Sequence, residues 1–297
     1  MSRIDAPTPA LTPLELEAAK FGSTFRKYAS IARVSLVERM TYRADFLLST
    51  FFRFLPMMTT VLLWSAVYDG SGQKRLGDSR TGIMFSYNEM IAYLLLVQIS
   101  RMFSSMPGLA GGIAREIREG TLKRYLVQPL DMIGYLLAFR ISHKVAYVIG
   151  AALPYSVLFF ICRGFFDHMP PLWVWPVYLL SLVLAFLIGF FFEVCVGLAG
   201  FWLLEITSIL YIVMTVNFFV SGHMLPLDML PTFWGNLLKA LPFSFMAYFP
   251  AAVFQGKAQG WDLAQGLIVG ALWALFFMML SRWLYRRGLN RYGAFGG

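Results

Sequence analysis

His223-Met-Leu-Pro-Leu-Asp228 has the His-x-x-x-x-Asp spacing in which a carboxylate orients an imidazole as general base, as in some membrane acyltransferases. Pro226 stands between the two, and no phosphate-binding residues accompany them, so an enzyme of that kind is disfavoured. His143 and His168 lie at other loops or loop edges, and together with Cys162 and Cys195 the histidines make no metal-ligand spacing. No catalytic residue and no metal site is expected. Cys162 and Cys195 fall toward opposite ends of two apolar runs, so no disulfide is expected either. A nucleotide-binding Gly-x-x-x-x-Gly-Lys-Ser/Thr loop is missing: the Gly256-Lys257 pair is followed by Ala258. The chain is therefore expected to bind no cofactor of its own.

A second kind of chemistry lies in three charges set within apolar runs, Arg53, Arg101 and Glu193. Each stands about two helical turns from one end of its run, Arg53 from the first residue and Arg101 and Glu193 from the last, roughly 10 Å from the expected inner boundary at 1.5 Å per residue. Charges at such depth are costly and usually face a bundle interior. One reading has Glu193 paired with Arg53 or Arg101 as an inner gate or a site for charged substrate. The other has both arginines snorkelling to headgroups, with Glu193 serving only packing.

Composition identifies the elements that must hold these residues. With 58% hydrophobic, 17% aromatic and only 14% charged residues, the chain departs from soluble usage and reads as an all-α polytopic membrane protein. A spanning helix needs about 20 mostly apolar residues, and six runs qualify: Phe46 to Tyr68, Asn88 to Gly108, Val145 to Cys162, Trp173 to Gly200, Ile206 to Gly222 and Leu263 to Tyr285. The fourth and fifth are separated only by the neighbourhood of Glu205 and also read as one long helix plus a re-entrant piece. Lys and Arg concentrate before Asp45, between Leu109 and Lys144 and after Ser281, which places both termini on the cytosolic side of the cell (inner) membrane. The net charge of +9 is thereby a topology signal answered by anionic membrane lipids, with no nucleic acid implied.

Residues 1–23 read as a cytosolic tail and 24–297 as one transmembrane domain. Thr24 to Ala44 repeats Phe25, Tyr28, Ala32, Leu36 and Met40 at helical spacing among basic residues, which predicts an amphipathic helix at the membrane interface. The outer segment 223–262 is broken by Pro226, Pro231, Pro242 and Pro250, and predicts short helices that dip into the outer leaflet or anchor the last spans through an aromatic belt.

Between the second and third spans lies a charged island within 112–130, Glu116-Ile-Arg-Glu-Gly-Thr-Leu-Lys-Arg-Tyr-Leu-Val-Gln-Pro129. It reads as two short helical pieces hinged at Gly120, with Thr121 as cap of the second. Such a piece fits either a knob for a soluble partner or a solvated connector.

The pattern Glu116, Glu119, Gly120, Thr121, Leu122, Leu126, Pro129 and Leu130 after a second span resembles the cytosolic coupling segment of type-2 ABC exporter permeases. Phe219-Val-Ser-Gly-His-Met-Leu-Pro-Leu-Asp-Met-Leu-Pro231, continued by Leu241-Pro-Phe243, is similar to a run in the same family. The likeness covers nearly everything after the first 20 residues. It implies a permease subunit that pairs with a second, identical or diverged, permease and with cytosolic ABC ATPase subunits carrying ATP and Mg. It assigns Glu116, Arg118, Glu119, Gly120, Thr121 and Leu122 to the ATPase contact, and Ser221, Gly222, Pro226, Pro231 and Pro242 to an outer gate. A small amphiphile, drug or lipid-like molecule is the expected cargo. A secondary transporter or channel without an ATPase is the alternative.

Overall fold

A computed structural model describes residues 43–78, 83–127, 131–166, 169–203 and 205–292, without the side chains of 43–54, 56, 57, 78 and 83. The tail 1–23, the interface stretch as far as residue 42, Pro129, Leu130 and the side chain of Arg53 lie outside the described residues. In chain order the elements are α1 (Arg43–Ser71), β1 (Arg75–Asp78), β2 (Ile83–Ser86), α2 (Tyr87–Ser104), α3 (Leu109–Arg118), α4 (Lys123–Leu126), α5 (Met132–Ile161), α6 (Val174–Leu198), α7 (Thr207–Val220), α8 (Thr232–Ala240), α9 (Tyr248–Phe254) and α10 (Gly260–Tyr292).

Local chemistry explains where the key helices begin. Ser86 and Glu89 form a capping box at the start of α2: the Glu89 amide donates to Ser86 Oγ at 3.2 Å and the Ser86 amide to Glu89 Oε2 at 2.8 Å. Asp131 caps α5 by accepting from the Gly134 amide at 2.7 Å. Glu205, in the break between α6 and α7, accepts from the Thr207 amide at 2.8 Å and from its hydroxyl. The fourth and fifth apolar runs are therefore separate helices.

Among the described residues, four helical stretches are long and apolar enough to cross a membrane: Tyr87–Arg118, Met132–Phe165, Val174–Phe201 and Gly260–Tyr292. The chain is a multi-pass membrane protein. α1 has 29 residues, whereas α7 has 14, about 21 Å of helix at 1.5 Å per residue. The helix over the fifth run is thus shorter than a full crossing needs.

Composition predicts helices only, and the β1–β2 hairpin departs from that. It pairs Leu76 with Phe85 antiparallel. Alternation along β2 turns Phe85 inward, 1% exposed, and Met84 outward. The Tyr68 hydroxyl ties α1 to this hairpin by donating to the Phe85 carbonyl at 2.8 Å.

α6 is the centre of the bundle, with α2, α3, α9 and α10 packed on it. Its apolar window and that of α2–α3 are 61% buried within the chain, against 17% for α5 and α10. α6 is mostly covered by protein, with Leu179, Leu180 and Val183 left exposed on one side, whereas α5 and α10 keep broad apolar faces for lipid. Close approach to α6 depends on a missing side chain at Gly189, where a Cβ would lie 2.1 Å from the Ser104 carbonyl oxygen of α2.

Candidate functional site

The island folds as α3 and α4 with the chain reversing at Gly120, whose φ of +72° is a left-handed conformation that glycine adopts without a Cβ clash. The turn is closed by the Gly120 amide on the Ile117 carbonyl at 3.3 Å and by the Leu122 amide on the Glu116 carbonyl at 3.2 Å. Thr121 does not cap α4: its hydroxyl donates back to the Glu116 carbonyl at 3.4 Å, and the cap position is Leu122, without a side-chain bond. Thr121→Ala is accordingly expected to shift stability by less than about 0.5 kcal/mol, read as an unchanged melting temperature of the purified chain.

One face of α3, Leu109, Ala110, Ile113 and Ile117, is buried against α6 and the turn Ala199–Phe201. Gly197 and Gly200 permit that contact, since a Cβ would meet the Ala110 carbonyl oxygen at 2.9 Å from the first and Ala114 Cα at 3.1 Å from the second. Ion pairs fasten the rest. Arg124 pairs with Glu116 and also donates to the Tyr125 hydroxyl at 2.8 Å. Arg118 pairs with Glu205 at 3.1 Å and Arg282 of α10 with Asp131 at 2.6 Å. The Glu205 carboxyl is held below the usual carboxylate range by the Thr207 hydroxyl and amide, and further by the Arg118 charge.

The sequence-assigned contact residues thus divide. Glu119 and Thr121 are exposed, and Arg118 is exposed while paired; Glu116 is half-buried, and Leu122 is wholly buried at 0% exposure. Leu122 anchors the island from within. The apolar surface is instead Leu126, 48% exposed, and Val127, 82% exposed, and Arg115, Glu119 and Lys123 of the island are exposed as well. Sequence reasoning gave Val127 no role, although a signal existed. With Leu122 and Tyr125 sharing the inward face, residue 127 falls about 200° away at 100° per residue.

Within the bundle, Arg101 on α2 lies in electrostatic reach of Glu193 on α6 and of His223 past α7. The Glu193 carboxyl lies close to the Ala110 backbone and also feels Arg140 on α5. It therefore sits at the N-terminus of α3, where the helix dipole favours negative charge. A carboxylate inside an apolar helix has here a structural partner, the first turn of the island.

His223 and Asp228 do not form an acid–base pair. The His223 ring packs 4.6 Å from Phe218 and its buried Nδ1 has no hydrogen-bond partner. Asp228, 5% exposed, is taken by Lys239 Nζ at 2.5 Å and by the Tyr248 hydroxyl at 2.8 Å. Those bonds fold the segment after α7 into a compact unit packed against α2. The Tyr248 amide donates to the Ser221 carbonyl at 3.1 Å, and the Tyr93 hydroxyl of α2 donates to the Gly222 carbonyl.

The unit penetrates further than the sequence led us to expect. Gln255 Nε2 donates to the Glu89 carbonyl at 2.8 Å at one end of α2, and Ser104 Oγ donates to the Met246 carbonyl at 2.8 Å at the other. The two attachment points are about 22 Å apart along α2 at 1.5 Å per residue. Every residue of α9 is buried. α8 behaves as a surface piece, with Phe233 and Trp234 exposed, as does the start of α10 with Trp261. Of the expected outer-gate residues, Ser221, Gly222 and Pro226 gather at the latch and Pro242 is buried where the chain descends, while Pro231 is exposed at the head of α8.

A family model described as ABC-2 family transporter protein matches residues 54–296, from within α1 to past the end of α10. No curated protein matches the chain.

Proposed function

The chain belongs to the ABC-2 family of transporter proteins, and on that premise we propose that this permease subunit works in an ATP-driven exporter with six spans. α1 supplies the first span, α7 together with the buried segment that follows it fills the place of the fifth, and both termini lie in the cytosol of a cell bounded by the membrane that holds it. The concentration of Lys and Arg around the island and at both ends of the chain supports this orientation. ATP and Mg reside on cytosolic ABC ATPase subunits, and a second permease, identical or diverged, completes the path. An amphiphile, drug or lipid-like molecule is the cargo.

The observation that carries this reading is the two-sided island. Its inner face is packed on α6 through Gly197 and Gly200, and its outer face offers Leu126 and Val127 among mixed charges. A knob of that shape gains affinity from the apolar pair and register from Glu119, Arg115 and Lys123. A push on α4 passes through the Glu116–Arg124 pair to α3, and from α3 to α6 by backbone contact.

Copurification is the direct test: the tagged chain, extracted in mild detergent, is expected to bring an ATP-binding chain with it. Recovery without any such partner counts against the proposal. Val127→Asp is expected to leave the melting temperature within about 1 °C, as an exposed substitution, and to reduce retention of the ATPase by on the order of tenfold, as loss of an apolar interface anchor. Equal retention by the variant and the parent chain rejects this docking face.

A further inference from the structure

A cleft of about 350 Å³ opens at the end of the bundle opposite the island, where α2 begins, α5 has just ended and α9 finishes. Phe165, Phe166 and Phe254 wall it, and Arg75, Glu89, Gln255 and Lys257 line the rest. The cations outnumber the acid. Glu89 is shared by Arg75 Nη2 and Lys257 Nζ, each at 3.3 Å, and one of its oxygens also takes the Ser86 amide at 2.8 Å. Contacts this long leave charge-assisted donors for a better acceptor.

Two further features narrow the ligand. Gln255 Oε1 is buried without a hydrogen-bond partner, while its amide nitrogen is fixed on the Glu89 carbonyl. An acceptor so placed favours a ligand that also carries a hydroxyl or ammonium donor. Beside the cleft, Phe160 and Ile161 are 67% and 72% exposed on the lipid-facing side of α5. Apolar chain and polar head would thus be met at the membrane–water boundary, where aromatic residues concentrate.

We propose that this cleft binds the headgroup of an anionic phospholipid. The phosphate lies against Arg75 and Lys257, a headgroup hydroxyl donates to Gln255 Oε1, and the acyl chains run down Phe160 and Ile161. Glu89 keeps both cations in position and repels fully anionic headgroups that lack a donor. The site is separate from the island, so its test stands apart from that of the ATPase partnership.

The purified chain in neutral detergent is titrated with dioctanoyl phosphatidylglycerol, dioctanoyl phosphatidylcholine and glycerol 1-phosphate, and the melting temperature is followed. Phosphatidylglycerol is expected to stabilise at concentrations on the order of tenfold lower than phosphatidylcholine does, with the preference fading at high salt. In the Arg75→Gln/Lys257→Gln chain that preference disappears, whereas Lys257→Arg, which keeps charge and fold, retains it. Equal response to the two lipids, or an unchanged preference in the double variant, overturns the site. Stabilisation by glycerol 1-phosphate as strong as by phosphatidylglycerol overturns the lipid and leaves a site for soluble phosphate esters.

Discussion

Lys239→Met is expected to lower the melting temperature by on the order of 10 °C, because it strands a carboxylate inside protein. Asp228 has a side chain only 3% exposed, while that of Lys239 is 33% exposed. Removing one partner of a buried pair costs about 3–5 kcal/mol, and for a chain of this size each kcal/mol is worth about 2–4 °C. The asymmetry of exposure makes a further prediction: Asp228→Asn should cost less, since the Lys239 ammonium can turn toward water and the new amide still accepts from Tyr248. The double variant should recover most of the loss. A melting temperature for Lys239→Met within 2 °C of the parent, or a double variant worse than either single one, would show that the pair does not hold the unit after α7.

Gly189→Val should prevent α2 and α6 from packing, and with that prevent folding of the core. A Cβ there would sit 2.1 Å from the Ser104 carbonyl oxygen, 3.1 Å from its carbonyl carbon and 3.3 Å from its Cα. Backbone cannot swing aside as a long side chain does. Ser104 is also held from the other side by its bond to Met246, so α2 cannot retreat without pulling the unit after α7. Overpacking of a tight interior costs about 1–3 kcal/mol even where side chains can give, and more is expected here. The readout is the monodisperse fraction on size exclusion together with the melting temperature. Gly112→Ala is the matched control, since nothing lies within 4 Å of a Cβ at that position and alanine favours a helix by about 1 kcal/mol. Normal yield and melting temperature for Gly189→Val would mean that the close crossing is absent in the membrane.

Much of the architecture was legible because bilayers impose a simple length rule on apolar runs. The runs containing α2, α6 and α10 were placed nearly where the helices lie, α5 begins at Met132, well before the apolar run that starts at Val145, and the glycine hinge of the island was readable because a positive φ has few other occupants. The proline-broken segment after α7 announced short helices. Its depth was not legible: prolines mark where helices stop, whereas burial of α9 follows from the packing of α2, α6 and α10 around it. Leu122 moved from expected contact to anchor, and Val127, given no role by the sequence, came to the surface for a related reason. Periodicity states which residues share a face, and only the neighbour across that face decides which face is inside.

The intramembrane charges draw the same line. Sequence alone led to the expectation that Arg101 and Glu193 lie at similar depth, because rise per residue is fixed. It also determined the membrane class, the lack of a phosphate loop and the likeness to exporter permeases, all of which are properties of composition or local order. Tertiary structure decided that Glu193 sits on the first turn of α3, that Asp228 belongs to Lys239 and Tyr248 instead of His223, and that glycines at 189, 197 and 200 bring α2 and α3 against α6. Each of these is a contact between residues far apart in the chain. Spacing along one helix cannot encode such contacts, since they depend on which helices meet and how closely their backbones approach.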